Sequence, residues 1–206
     1  MVQSLTAFVV VALVMELTPG PNMAYLALVS AGQGRKAGLL AVVGVTLGLL
    51  TYLAAAVLGL AEVALRWPAV YQALRWLGVG YLLWMAWDAW REAGAPAAAA
   101  PDPASARKLV LRGYLANILN PKAAMLYVAL LPGFMSGRHP AMEALGLGAI
   151  HLGISLMVHL SIVVAGGQAA ALLDGGPASR RRRVERGFAV ALALVAIWLA
   201  WGTRTA

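Results

Sequence analysis

The chain has 206 residues, 62% of them apolar and only 12% charged, with a mean hydropathy of +0.79. Soluble domains run nearer half apolar and a quarter charged, so too little charge is present to coat a water-facing surface, and no separate soluble domain fits. The absence of cysteine excludes disulfides, thiolate metal sites and cysteine nucleophiles.

The apolar residues fall in long runs such as 39–61 and 144–173, the second carrying only His151 and His159 as titratable groups. A helix needs roughly 20 apolar residues to cross about 30 Å of hydrocarbon, and backbone groups in lipid must be satisfied within helices or closed barrels. The runs are continuous rather than alternating, which selects helices. The first, MVQSLTAFVVVALVM, lacks the basic start and cleavage site of a secretory signal and is expected to be a span itself. In chain order the pattern predicts six spans, at 5–29, 38–65, 70–90, 109–134, 144–173 and 187–201. The third contains Arg75, and the sixth, about 22 Å long at 1.5 Å per residue, is short for a crossing.

Basic residues are distributed unevenly between the connections. Eleven follow spans 1, 3 and 5: Arg35 and Lys36; Arg91, Arg107, Lys108 and Arg112; Arg180, Arg181, Arg182, Arg183 and Arg186. Four lie on the other side, Arg66, Arg75, Arg138 and Arg204. The positive-inside rule puts the eleven in the cytoplasm and both termini outside. The net charge of +8 is therefore read as orientation rather than as a nucleic-acid footprint. The Ala/Pro-rich stretch 92–108 is expected to be a flexible cytoplasmic linker between two halves, 1–91 and 109–206.

Those halves resemble each other. At an offset of 102, ELTPGPNMAYLAL aligns with ILNPKAAMLYVAL, so that Leu17, Pro19, Tyr25, Ala27 and Leu28 meet Leu119, Pro121, Tyr127, Ala129 and Leu130, and further on Gly44 meets Gly146. Each half has three spans, an odd number, so the second enters the membrane from the opposite side, as in the inverted repeats of secondary transporters. Prolines interrupt the first helix of both halves, at Pro19-Gly20-Pro21 and at Asn120-Pro121-Lys122. Backbone groups freed at membrane depth need protein, water or ligand partners. Thr18, Pro19, Gly20, Pro21 and Asn22 in one half, with Asn117, Asn120, Pro121 and Lys122 in the other, are thus candidates for a substrate site near the bilayer midplane. A half-helix N-terminus suits a carboxylate; Lys122 adds charge, and Glu16 or freed carbonyls face an ammonium. Charges at this depth normally face a cavity or each other, so Glu16 and Lys122 are read either as a structural ion pair or, with His151, as proton-coupling groups.

At these residues the chain resembles the LysE/RhtB family of amino-acid exporters. Pro19-Gly20-Pro21-Asn22 is similar to its first-helix signature, QGRKAG at 33–38 to its first cytoplasmic turn, and GVTLG at 44–48 to its glycine-spaced second helix. The stretch 113–132, with Asn117, Asn120-Pro121-Lys122 and Leu131-Pro132, is similar to its fourth-helix motif. The resemblance implies an all-α, polytopic inner-membrane protein and no enzyme. The implied activity is export of amino acids from the cytoplasm, driven by the proton gradient without a cofactor. The few acidic groups in the spans favour small neutral substrates.

Three weaker signals remain. His151 and His159 lie eight apart, roughly on one helix face, with Ser155 between them. They read chiefly as hydrogen-bonded helix packing; the alternatives are a proton relay, an intramembrane hydrolase using Ser155 and His159, or a metal-cation exporter, although a zinc site needs further ligands. Gly44 and Gly48 form a small-xxx-small face that packs helices within the subunit or, alternatively, joins a homodimer. The seven tryptophans, several near span ends, read as interfacial anchors. The expected partners are the substrate, protons and the bilayer; no metal site is expected.

Overall fold

The computed structural model describes residues 2–18, 20–59, 68–93, 103–173 and 178–202. All elements among them are helical: α1 (Val2–Leu17), α2 (Pro21–Val57), α3 (Pro68–Glu92), α4 (Pro103–Ile118), α5 (Pro121–Met125), α6 (Pro140–Leu173) and α7 (Ala178–Gly202). Five of the seven begin on a proline. Proline has no N–H to lose at a first helical position, and its fixed φ already matches the helix. The residues that break helices in this sequence therefore also start them.

Within α2 the chain turns at Gly34, whose φ of 83° and ψ of 175° lie in a region open essentially to glycine alone. The turn folds the arm 21–33 back toward the arm 35–57. A Cβ on Gly38 would stand only 2.9 Å from that of Ser30, although eight residues of straight helix would separate the two by roughly 12 Å. Another glycine of positive φ, Gly137, precedes α6. There the Glu143 carboxylate accepts hydrogen bonds from the N–H groups of Ser136, Gly137 and His139.

The helices pack where side chains are smallest. A Cβ on Gly44 would stand 2.8 Å from the Tyr114 nitrogen, and one on Gly48 2.7 Å from the Asn117 Cβ. The glycine face of α2 is thus covered by α4 within the chain. One buried cluster, including Tyr25, Val29, Val45, Leu82, Leu109, Val163 and Leu192, joins α2, α3, α4, α6 and α7. Another, including Phe8, Leu49, Leu126, Tyr127, Leu147 and Ile154, joins α1, α2, α5 and α6. Large apolar side chains also cover the outside, among them Val14, Trp87, Met157 and Trp201, as a surface facing acyl chains requires.

The chain is an all-helical polytopic membrane protein. Among the described residues, Pro21–Val57 and Pro140–Gln168 are each long and apolar enough to cross a bilayer, and Ser105–Ile118 with Pro121–Phe134 form a pair bent by 50°. Several boundaries differ from the sequence expectation, two of them inside connections. α4 begins at Pro103, so its first turns lie inside the segment read as linker; Pro103 sits at the favoured first position, and the residues after it are mostly good helix formers. α7 begins at Ala178 and carries the arginine run as helix rather than as connection, because arginine favours helix and no glycine or proline interrupts it. Residues 94–102 of the linker and Trp67 fall outside the described residues.

Candidate functional site

Both expected interruptions are present, and they meet. The last helical bond of α1 runs from Thr18 N–H to Val14 O at 3.0 Å. Gly20 is extended (φ −156°, ψ 178°), and α2 starts at Pro21 with no side chain capping it. In the second half, Asn120 N–H bonds Asn117 O at 2.9 Å. Asn120 is then extended, and its Oδ1 accepts from the Lys122 N–H at 3.0 Å, capping α5. Across the gap, Lys122 Nζ donates to the Thr18 carbonyl at 2.8 Å. A carbonyl freed by one break is thus satisfied by a cation from the other.

Beside this contact lies a buried polar chain. Glu16, 8% exposed at the end of α1, faces α6 with both oxygens: Oε1 is 3.1 Å from His151 Nε2 and Oε2 is 3.6 Å from His159 Nε2. His151 Nδ1 is 3.1 Å from the Tyr127 hydroxyl, and His159 Nδ1 is 3.3 Å from Ser155 Oγ. Tyr127 stacks on Tyr52 with ring centroids 5.9 Å apart, while the Tyr52 hydroxyl donates to Ile118 O at 2.6 Å, next to the second break. Tyr127 sits in a π-helical turn, Leu126–Leu130, closed by the Leu131 N–H on Leu126 O. Such single wide turns recur at functional sites. Among the described residues no direct ion pair joins Glu16 to Lys122: the acid is taken by the two histidines and the ammonium by Thr18.

These groups surround a narrow chamber. Its walls include Glu16, Gly20, Asn22, Asn120, Lys122 and His151 of the sequence-derived candidates, together with His159 and the apolar Met15, Met23, Leu49, Ala123 and Leu126. Pro21 and Pro121 stand buried behind them as first residues of their helices. Thr18 contributes its carbonyl, its hydroxyl being turned back to Val14 O. Pro19 lies outside the described residues. Asn117 is not on the chamber wall: fully buried beneath Gly48, its amide atoms have no partner among the described residues.

The role of His159 beside Glu16 was underweighted by the sequence, where the pair of histidines reads as packing; its spacing from His151 was the available signal. Tyr127 was visible only as the repeat match of Tyr25. Ser155, His159 and Glu16 stand in contact in that order, with Ser155 fully buried and off the chamber wall. Among the described residues no set of three or more His, Asp or Glu is arranged to hold a metal ion.

The chain is 25% identical to a homoserine/homoserine lactone efflux protein of Salmonella typhimurium, over 82% of this chain and 83% of that protein. It is 31% identical to a leucine efflux protein of Enterobacter sp. over 62% of each chain, and 29% identical to the uncharacterized membrane protein YahN of Escherichia coli over 59% of this chain and 56% of that one. No solved structure matches it significantly. A family model described as LysE type translocator matches residues 13–203. With nearly its whole length matched, the chain belongs to the LysE type translocator family.

Proposed function

We propose that this protein is a secondary exporter of neutral amino acids, driven by the proton gradient across the inner membrane. The observation that carries this reading is the meeting of two interrupted helices at one buried polar chamber, with Lys122 of one reaching Thr18 of the other. Facing discontinuities of this kind expose a half-helix N-terminus, freed carbonyls and a few fixed charges to a zwitterion. The relatives' names, homoserine/homoserine lactone efflux and leucine efflux, agree with export of an amino acid. In this reading Gly20, Asn22, Asn120 and Lys122 of the chamber wall meet the substrate, and Thr18, Pro21 and Pro121 support them from the two breaks. Asn117 lies beneath Gly48, and Pro19, outside the described residues, stays a candidate from its sequence alone.

In this reading α3 and α7 complete six crossings arranged as two inverted three-helix units. Both termini lie outside, and the linker 92–108 lies in the cytoplasm. Coupling falls to Glu16 between His151 and His159, a carboxylate that exchanges a proton with imidazoles on the wall the substrate touches.

The test is efflux from cells overproducing the protein and fed dipeptides, followed by proteoliposomes with an imposed proton gradient. Export of a neutral amino acid should rise over empty-vector cells, collapse with a protonophore, and weaken in Pro21→Ala. If none of the amino acids leaves faster, the proposal fails; if Ser155→Ala alone abolishes activity while Pro21→Ala keeps it, a hydrolytic reading replaces it. Because the chain has no cysteine, single cysteines introduced in the linker and at the termini report orientation by labelling from either side.

A further inference from the structure

We infer that the chamber takes its substrate in one orientation, with the carboxylate at the uncapped start of α2 beside Lys122. It therefore selects free aliphatic α-amino acids and rejects their amides, esters and lactones, the last in contrast to the relative named for homoserine lactone efflux. This deepens the exporter reading and rests on it.

The two breaks are not equivalent. At the second, the Asn120 side chain answers the Lys122 N–H and caps α5. At the first, nothing caps α2, and its first intrahelical bond is Ala24 N–H to Gly20 O. The N–H groups of Asn22 and Met23 precede that bond, and both residues line the chamber. This end has no side-chain cap over its donors and carries the positive end of a long helix's dipole, whereas α5 is five residues long and capped by Asn120.

An independent observation shows the same place waiting for a partner. Asn22 is 7% exposed and lines the chamber, yet its Oδ1 has no hydrogen-bond partner among the described residues. A buried acceptor of this kind costs stability unless something donates to it, and a substrate ammonium does so. Glu16, on the same wall, supplies the negative charge. The Lys122 ammonium has three donors, of which the Thr18 carbonyl takes one. Its side chain spans the chamber, and a ligand enters by exchanging its carboxylate for Thr18 as the partner of Lys122.

The remaining wall sets the side-chain class. Met15, Met23, Leu49, Ala123 and Leu126 offer no hydrogen bond from their side chains, and methionine adapts to irregular aliphatic shapes. Asn120, His151 and His159 on the same wall are engaged by the Lys122 N–H, by Tyr127 with Glu16, and by Ser155 respectively. Charge supports the same ligand: one fixed cation and one fixed carboxylate match a zwitterion, whereas a ligand without a carboxylate leaves Lys122 facing a second cation.

The experiment is competition against labelled leucine in counterflow through proteoliposomes of the full chain, using methionine, homoserine, leucinamide, leucine methyl ester and homoserine lactone. Methionine should compete about as well as leucine and homoserine less well. The three ligands lacking a free carboxylate should be weaker by about tenfold or more, the worth of a charged hydrogen bond. This ratio is read on the unaltered protein and needs no variant to fold. In Lys122→Met the ratio should fall toward one, and Lys122→Arg should restore part of it. Leucinamide competing as well as leucine, or an unchanged ratio in Lys122→Met, overturns the orientation while leaving export intact; failure to transport any amino acid overturns both.

Discussion

Replacing Gly44 and Gly146 by alanine separates the packing argument from helix propensity. Both lie inside long helices and align with each other between the halves, so each substitution gains the same helix propensity, about 1 kcal/mol. Their surroundings differ. At Gly44 the new Cβ would stand 2.8 Å from the Tyr114 nitrogen and 2.9 Å from the Val110 carbonyl carbon, and closer still to that carbonyl's oxygen. At Gly146 no atom lies within 4 Å. Ordinary contact begins near 3.4 Å, so α2 and α4 must part by more than half an ångström, and no rotamer change relieves a clash with backbone. Overpacking costs about 1–3 kcal/mol; with backbone on the other side the upper value applies, which for a chain of this size is roughly 6–12 °C in melting temperature. Thermal unfolding of the detergent-solubilised protein, followed by circular dichroism, measures the difference. Gly146→Ala should melt at or slightly above the parent and Gly44→Ala well below it. Equal melting temperatures would refute the claim that this glycine face sets the distance between α2 and α4.

Two further outcomes follow from local geometry. Gly34→Ala places a side chain at φ 83°, ψ 175°, a strain of about 1–3 kcal/mol; it should lower the melting temperature although no atom lies within 4 Å of the new Cβ, and an unchanged melting temperature would show that the turn relaxes. Tyr52→Phe removes the 2.6 Å bond to Ile118 O, leaving a part-buried carbonyl unpaired beside the second break at a cost of about 1–3 kcal/mol. Hydrogen exchange of the amides from Ile118 to Lys122 should accelerate in that variant, and unchanged exchange would show that the break does not depend on Tyr52.

The breaks were legible because proline acts covalently: wherever Pro21 and Pro121 fall, no earlier helix can run through them, and both begin new helices here. The glycine face and its partner helix were half legible. Gly44 and Gly48 announced close packing, but only the fold identifies α4 as what approaches. The partner of Glu16 was partly legible. The sequence sets Lys122 and His151 beside it without saying which touches it, whereas the fold delivers His151, 135 residues away in the chain. No periodicity in α1 says which of its faces meets α6, since nearly every position is apolar. The π-helical turn at Leu126–Leu130 also had no signature, because LYVAL reads as ordinary helix. What local chemistry decides could be read in advance; what long-range packing decides could not.

In the proposed reading, the asymmetry between the halves bears on how transport is coupled to protons. Glu16 and the uncapped helix start come from the first half, while Lys122, His151, His159 and Tyr127 come from the second. Neither half alone holds a complete site for a carboxylate or for a proton. The two sites share the same seam: the Lys122 to Thr18 contact and the Glu16 to His151 contact both cross from the end of α1 to the second half. Any motion that draws α1 away from α5 and α6 to admit a substrate therefore breaks both at once. A Glu16 separated from its imidazoles at that depth must take a proton or a substrate ammonium, because a lone carboxylate in the membrane is too costly. In this scheme proton and substrate compete for one carboxylate, so the seam that binds the amino acid is also the element that ties its export to the proton gradient.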